Sequence, residues 1–128
     1  MFTWKGNRNG AGPVIEKNVT VSSLTLSAGA LIRRNAGVVA AAADGTQVLG
    51  LAPNAVAAAD TTADVIILKR GDILEGDYTG TATLTVGSFI DLESSLVMDG
   101  TDSGDGSDGL LRILEIDTTN SKMLVEFV

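Results

Sequence analysis

The sequence predicts an all-β fold in a single domain. Its apolar residues occur in short runs or alternate with polar ones, a pattern typical of strands and too short-ranged for helices. Turns between these runs are supplied by 15 glycines, against only 2 prolines. Aromatic residues make up 4% of the chain, so the core must consist of Val, Ile, Leu and Ala. A chain of 128 residues is long enough to bury one such core.

Residues 1–17 are predicted to form an extended N-terminal arm. They are rich in glycine and asparagine and have little apolar periodicity, yet Phe2 and Trp4 lie near their start. Two interpretations are open. The segment is either a terminal strand that packs on its own domain or an anchor that lies on a neighbouring molecule, because tryptophan is favoured at interface hot spots. Under the second interpretation, deletion of residues 1–13 leaves a folded domain.

Residues 18–128 are predicted to form the β-rich body. Residues 18–34 alternate apolar and polar side chains, which indicates strands, and the Asn-Ala-Gly sequence at 35–37 indicates a turn. The Asp-Gly pair at 44–45 indicates a hairpin. The alanine run at 40–43 is interpreted as a strand, whereas a short helix is an alternative for the alanines at 57–59.

Residues 65–68, Val-Ile-Ile-Leu, are the centre of the predicted fold. They show no polar alternation, which indicates a strand covered on both faces. Residues 79–86 alternate threonine with apolar residues and predict a half-exposed strand. Residues 110–117 and 123–128 predict a terminal hairpin around the turn Thr-Thr-Asn-Ser, so the C terminus is expected to lie within a sheet.

Composition argues against several classes of function. The chain has no cysteine and no histidine, which excludes thiol nucleophiles, histidine triads and Cys/His zinc sites. Asp91 and Glu93 fall on one face of a strand, but no histidine can act with them, so we expect no enzyme. A formal charge of minus 7 disfavours nucleic acid as a partner. No apolar run approaches a membrane span and the start lacks a signal core, so no membrane partner is expected.

Residues 99–109 contain no apolar side chain and are predicted to form a solvated loop. Aspartates recur there at every third position: Asp99, Asp102, Asp105 and Asp108. Calcium favours several carboxylates, but an EF-hand loop places ligands at every second position and closes with Glu, so calcium is not expected to be required. The glycines also match GxGxxG, although the aspartates would repel phosphates. No cofactor is therefore predicted.

The cations of this acidic chain are unevenly placed. Residues 1–17 carry a net charge of plus 2, which leaves minus 9 on the remainder, so the two parts are expected to face different surroundings. The pairs Arg33-Arg34 and Lys69-Arg70 are either solvated residues at strand ends or contacts to an acidic partner surface. The candidate partner-binding residues are Phe2, Trp4, Lys5, Arg8, Arg33, Arg34, Lys69 and Arg70.

Short segments rich in glycine and aliphatic residues follow one another in a distinctive order. They are SAGAL at 27–31, GVV at 37–39, Gly45, VLGLA at 48–52, VIIL at 65–68 and GDIL at 71–74. From about Val19 to Val128, this order resembles the small decoration, or cement, proteins that coat the capsids of tailed phages. The segment YTGTATLTVG and the terminal hairpin also fit that family, whereas residues 1–17 lie outside the shared pattern.

The resemblance implies a compact β-barrel-like or β-tulip domain that assembles as a homotrimer. It implies binding to major capsid protein on the exterior of the virion, where the protein stabilises the shell, and it brings no catalytic residues. An alternative is a phage-associated binding module, such as a sugar-binding head or a tail adaptor, for which Tyr78 is the aromatic candidate. A carboxylate-only enzyme is the third class, and a deep pocket with two close carboxylates would favour it.

Overall fold

The computed structural model describes residues 1–43, 46–102 and 111–128, and these residues form twelve strands and no helix. The all-β prediction is confirmed. The strands are β1 (Phe2–Asn7), β2 (Val14–Thr20), β3 (Leu31–Asn35), β4 (Val38–Ala41), β5 (Gly50–Leu51), β6 (Thr62–Ile67), β7 (Asp72–Thr79), β8 (Phe89–Ile90), β9 (Leu92–Ser94), β10 (Val97–Asp99), β11 (Leu111–Asp117) and β12 (Lys122–Phe127).

Seven strands form a sheet that nearly closes on itself. The order is β8-β11-β12-β7-β10-β9, and β1 pairs antiparallel with β7. Strands β1 and β10 lie end to end along the same side of β7, because β1 pairs with residues 72–76 and β10 with residues 77–79. The two ends of the order, β8 and β9, are separated in the chain by Asp91 alone. The sheet is therefore barrel-like.

The remaining five strands form a second sheet in the order β2-β6-β5-β3-β4. Both faces of its strand β6 are covered. On β6, Ile66 packs into the larger core cluster that fills the barrel, while Val65 packs into a second cluster with residues such as Val21, Leu26 and Val56. The prediction that residues 65–68 are covered on both faces is confirmed, and it explains why their sequence lacks polar alternation.

The predicted turn at 35–37 is confirmed. Ala36 and Gly37 have φ values of 49° and 83° and join β3 to β4, since two consecutive left-handed residues suit a tight hairpin. The first two alanines of the run at 40–43 belong to β4, as predicted. Residues 57–59 are not helical, so that alternative is wrong. The predicted hairpin at 44–45 and part of the loop at 99–109 lie outside the described residues.

The strand predicted for residues 79–86 is wrong. Strand β7 ends at Thr79, and Gly80 has a φ of 74°, which turns the chain out of the ladder. Ala82 and Leu84 still pack against the larger core cluster, which accounts for their alternation with threonine. The terminal hairpin is confirmed by β11 and β12, and β12 lies between β11 and β7, so the C-terminal strand is held on both edges.

Residues 1–17 contribute strands to both sheets. Strand β1 belongs to the seven-stranded sheet and β2 to the five-stranded one, so the boundary predicted after Lys17 falls within β2. Phe2 is 2% exposed and its backbone N–H donates to the Gly29 carbonyl at 2.9 Å. Of the two interpretations, the structure agrees with a terminal strand packed on its own domain. The expectation that residues 1–13 can be deleted without loss of fold is therefore not supported.

Gly76 lies directly opposite Phe2 in the ladder between β1 and β7. A Cβ at this position would overlap the Phe2 ring and lie 3.0 Å from the Met98 methyl group. We expect Gly76→Ala to lower the free energy of unfolding by about 1–3 kcal/mol, because the ring must move. In a Phe2→Ala background the added methyl has room, so the double variant should be less destabilised than the sum of the two. Urea melts of all four proteins measure this coupling, and additive effects would contradict it.

Candidate partner-binding site

An apolar groove lies where β1 meets the five-stranded sheet. Its volume is about 320 Å³, and we call it the N-terminal groove. It is lined by residues 1–4, by residues 28–29 and by Leu51, Pro53 and Ile66. Phe2 and Trp4 alternate with exposed residues along β1, so both pack towards the core and the groove. The groove is thus formed where the two sheets meet.

A row of apolar side chains runs across the five-stranded sheet and emerges beside this groove. Register places Leu31, Leu51, Ile66 and Ile15 opposite one another on β3, β5, β6 and β2. Directly opposed residues share one face of a sheet. Their exposed fractions are 0%, 2%, 8% and 51% in that order. The row is therefore continuous with the core at Leu31 and open to solvent at Ile15.

A second exposed apolar side chain, Met1, lines the groove at this open end. Val14, which precedes Ile15 on β2, is 47% exposed but faces the opposite side of the sheet. Strand β2 is the edge of its sheet and nearly all of its residues are exposed. An edge strand presents unpaired backbone groups that can pair with another chain. Apolar side chains and an open strand edge are thus found together here.

Trp4 is only partly available at the surface. Its ring packs against the larger core cluster, and its indole Nε1 is buried with no hydrogen-bond acceptor among the described residues. A buried N–H without an acceptor costs about 1–3 kcal/mol. Phe2 lies deeper still and cannot serve as a free anchor, because leaving the core would expose its whole ring. Trp4 and Phe2 therefore both line the groove, and Phe2 is the more deeply buried of the two.

The amino terminus is held at the end of the groove. The Met1 ammonium donates to Asp77 Oδ2 at 2.8 Å and to the Leu96 carbonyl at 2.6 Å. Lys122 Nζ donates to the other oxygen of Asp77, also at 2.8 Å. These two donors, Lys122 first, hold the pKa of the Asp77 carboxyl below its ordinary value. Met1 is therefore positioned by the same carboxylate that pairs with Lys122 on β12.

Lys5 and Arg8, predicted as partner contacts, form ion pairs within the domain. Lys5 Nζ lies 3.4 Å from the Glu75 carboxylate at the surface. Arg8 donates to Glu126 Oε2 at 2.6 Å, and Arg112 donates to the same oxygen at 2.8 Å. The Glu126 side chain is only 3% exposed. Arg8 thus neutralises a buried carboxylate, which accounts for its charge without any partner molecule.

Arg33 and Arg34 both line a second cavity, which we call the arginine cleft. Its volume is about 470 Å³, and its lining residues are Arg33, Arg34, Thr46, Gln47, Val48, Leu49, Leu68 and Phe127. Arg33 Nε donates to the Ala41 carbonyl at 3.2 Å. Arg34 lies 3.6 Å from the Glu16 carboxylate, and both of these side chains are about half exposed.

The Lys69-Arg70 pair does not join this cleft. Both residues lie in the turn between β6 and β7, where Lys69 Nζ donates to the Gly12 carbonyl at 2.7 Å. The Arg70 side chain is exposed and forms no ion pair with a described residue. Lys69 therefore tethers the segment that joins β1 to β2, and the structure separates the two cation pairs that the sequence treats alike.

The acidic candidates mostly accept local hydrogen bonds. The Asp99 carboxylate accepts from the hydroxyl and backbone N–H of Thr101, which lowers the pKa of Asp99. Glu93 accepts from the Thr79 hydroxyl, and Asp91 accepts from the Leu92 N–H at 2.7 Å. Among residues 1–43, 46–102 and 111–128, no three acidic residues are grouped so as to hold a metal ion. Asp105 and Asp108 lie outside the described residues.

Two residues of these sites, Ile15 and Glu126, are not predicted from the sequence. Ile15 lies in a segment with little apolar pattern, and only the adjacent pair Val14-Ile15 could have signalled a strand there. Glu126 interrupts the apolar run of the last strand, which is a signal of a special environment. Its partner Arg8 lies 118 residues away, so the sequence offers no local means of pairing them.

Comparisons with known proteins give no relative of this chain: no family model matches it, and no curated protein sequence matches it. In the part of the chain that the structure describes, no helix is long and apolar enough to cross a membrane.

Proposed function

We propose that this protein is a capsid decoration protein that binds major capsid protein on the outer surface of a tailed-phage head and stabilises the shell. The all-β, barrel-like fold and the order of glycine- and aliphatic-rich segments support this proposal. The observation that carries it is the open end of the apolar row, where Ile15 lies exposed beside the N-terminal groove. The protein acts by burying surface rather than by chemistry.

Docking uses the apolar row and the edge of β2 together. Burial of Ile15 and Met1 against a partner removes apolar surface from water, at roughly 25 cal/mol per Å². A backbone segment of the partner lies along β2, where unpaired N–H and C=O groups give register. A protein that binds only the assembled shell stabilises it by mass action, so shell stability rises with its concentration.

A homotrimer is part of the same proposal. Three copies around a symmetry axis would present three identical grooves to a shell. Once one groove is bound, the other two are held close to the shell, so the trimer binds more tightly than one copy does. Light scattering after size-exclusion chromatography should give three times the 13.1 kDa mass of one chain. A monomer at every concentration tested, in solution and on shells, would contradict the trimer but not the docking surface.

The experiment that tests the docking surface compares Ile15→Asp with Val86→Asp. Both positions are exposed and apolar, but Val86 lies in a turn away from the groove. A carboxylate at position 15 would be desolvated on docking, so we expect binding to undecorated shells to weaken at least about tenfold. Val86→Asp should bind as the unmodified protein does. Equal binding by all three proteins, each with an unchanged thermal melt, would contradict the proposed surface.

The sugar-binding alternative loses its aromatic candidate. Tyr78 is 7% exposed and belongs to the larger core cluster, so its ring does not line a surface groove. No second function is proposed.

A further inference from the structure

The arginine cleft has an unusual charge composition for this chain. The protein carries 16 acidic residues against 9 basic ones, yet none of the described residues that line this cleft is acidic. Arg33 is accompanied there by the polar side chains of Thr46 and Gln47. The Arg34 guanidinium lies beside Glu16 instead, because consecutive residues of β3 face opposite sides of the sheet. A cleft of one sign concentrates counter-ions of the other sign. The cleft is therefore a positively charged site on an acidic molecule.

Four other cations of the described residues form ion pairs with carboxylates, whereas Lys69 donates to a backbone carbonyl and Arg70 forms no ion pair. Lys5 pairs with Glu75, Lys122 pairs with Asp77, and both Arg8 and Arg112 pair with Glu126. By contrast, the hydrogen bond recorded for the Arg33 side chain goes to a neutral backbone carbonyl. The Arg34 contact with Glu16 is long and half exposed, and such pairs contribute little. The cleft thus holds positive charge that the domain itself compensates weakly.

The geometry of Arg33 leaves donors available. A guanidinium group has five N–H donors, and the bond to the Ala41 carbonyl uses the one on Nε. The two Nη groups remain, and their fork matches the two oxygens of a carboxylate. Because the Nε bond also holds the group against β4, less side-chain entropy is lost when a ligand binds. Arg33 is therefore preorganised as a carboxylate receptor.

The apolar part of the cleft favours a polypeptide as the source of the carboxylate. Val48, Leu49, Leu68 and Phe127 line the cleft beside the arginines. Such a lining suits an apolar side chain that adjoins an acidic residue. A nucleic acid would bring its phosphates to a chain of net charge minus 7, which opposes its approach.

We propose that the arginine cleft binds an acidic side chain of a partner protein, with a neighbouring apolar side chain of that partner seated on the apolar lining. Arg33 holds the carboxylate, and Phe127 and Leu68 contact the apolar group. This site lies apart from the N-terminal groove, since the two share no lining residue. It rests on the proposed function only in that the partner is a protein.

The test uses two short peptides that differ in charge alone, acetyl-Leu-Glu-amide and acetyl-Leu-Gln-amide. Arginine Nε signals are followed by nuclear magnetic resonance at constant ionic strength, and each is assigned by single substitution. We expect the Arg33 signal to shift and saturate with the Glu peptide at millimolar concentration, as befits one ion pair with a small apolar contact. The Gln peptide should leave it in place, and the exposed Arg70 should not respond to either.

Arg33→Gln should weaken binding of the Glu peptide about tenfold, because a charge-assisted hydrogen bond is replaced by a neutral one. Arg70→Gln is the matched control and should leave affinity unchanged. Since Arg33→Gln also removes the bond to Ala41, thermal melts confirm that the variant is folded. Unchanged affinity in folded Arg33→Gln would overturn the proposal.

Two other results would also overturn it. Equal shifts with the Glu and Gln peptides would mean that charge is not recognised, and equal shifts at Arg70 would mean non-specific screening. Saturation by inorganic phosphate at the same concentration as the Glu peptide would make the cleft a general anion site. The peptide titration contains no shells, so it is independent of the shell-binding experiment. Failure of shell binding would contradict the proposed function only, and failure of peptide binding would contradict the proposal for the cleft only.

Discussion

Phe2→Ala is expected to lower the free energy of unfolding by about 3–5 kcal/mol, the range for truncation of a buried phenylalanine. The ring lies over Gly76 of β7 and belongs to the larger core cluster with Leu31, Leu74 and Met98. The loss therefore combines the transfer of the ring to water with the cavity left behind.

Urea denaturation of Phe2→Ala beside Thr3→Ala measures this effect. Thr3 is the next residue of β1, is exposed and faces away from the core, so its truncation should cost less than about 1 kcal/mol. A Phe2→Ala variant that is as stable as Thr3→Ala would mean that β1 is dispensable. The segment would then be a free arm after all.

The double variant Arg8→Met/Arg112→Met is expected to lose about 3–5 kcal/mol of stability, because it leaves the Glu126 carboxylate buried without a cation. Both guanidinium groups donate to the same oxygen, Oε2, at 2.6 and 2.8 Å. Either arginine alone still compensates the charge, so each single variant should lose less than half of that amount. Chemical denaturation at neutral pH measures all three.

A triple variant that also carries Glu126→Leu separates the buried charge from the loss of packing. Removing all three charges should restore most of the stability, since an apolar group needs no counter-ion. Lys5→Met is the surface control, and its exposed pair with Glu75 contributes about 0–1 kcal/mol. A triple variant as unstable as the double one would show that the arginines act through packing and not through charge.

Local signals in the sequence predict those elements whose environment is set by neighbours in the chain. The run at 65–68 identifies a doubly covered strand because all four side chains are apolar. The turn at 36–37 and the hairpin of β11 and β12 follow from residues a few positions apart. The strand predicted for 79–86 fails because Gly80 adopts a positive φ, which overrides the alternation that follows it.

The position of β1 and the candidate site depend on contacts between distant residues. The alternation of Phe2 and Trp4 fits an anchor and a terminal strand equally well. The structure distinguishes the two because β1 pairs with residues 72–76 of β7. Ile15 becomes a surface residue only because β2 is an edge of its sheet. Arg8 and Lys69, predicted as partner contacts, bind Glu126 and the Gly12 carbonyl within the domain. Neither partner is recognisable from sequence spacing.

Cryo-electron microscopy of undecorated phage shells, imaged with and without this protein, tests the proposed function most directly. The difference map should contain added density on the outer surface, arranged as trimers, with β2 and the N-terminal groove turned towards the major capsid protein. Ile15 should then lie within the contact. No added density at saturating concentration, or density in which β2 and the groove face solvent, would contradict the proposal.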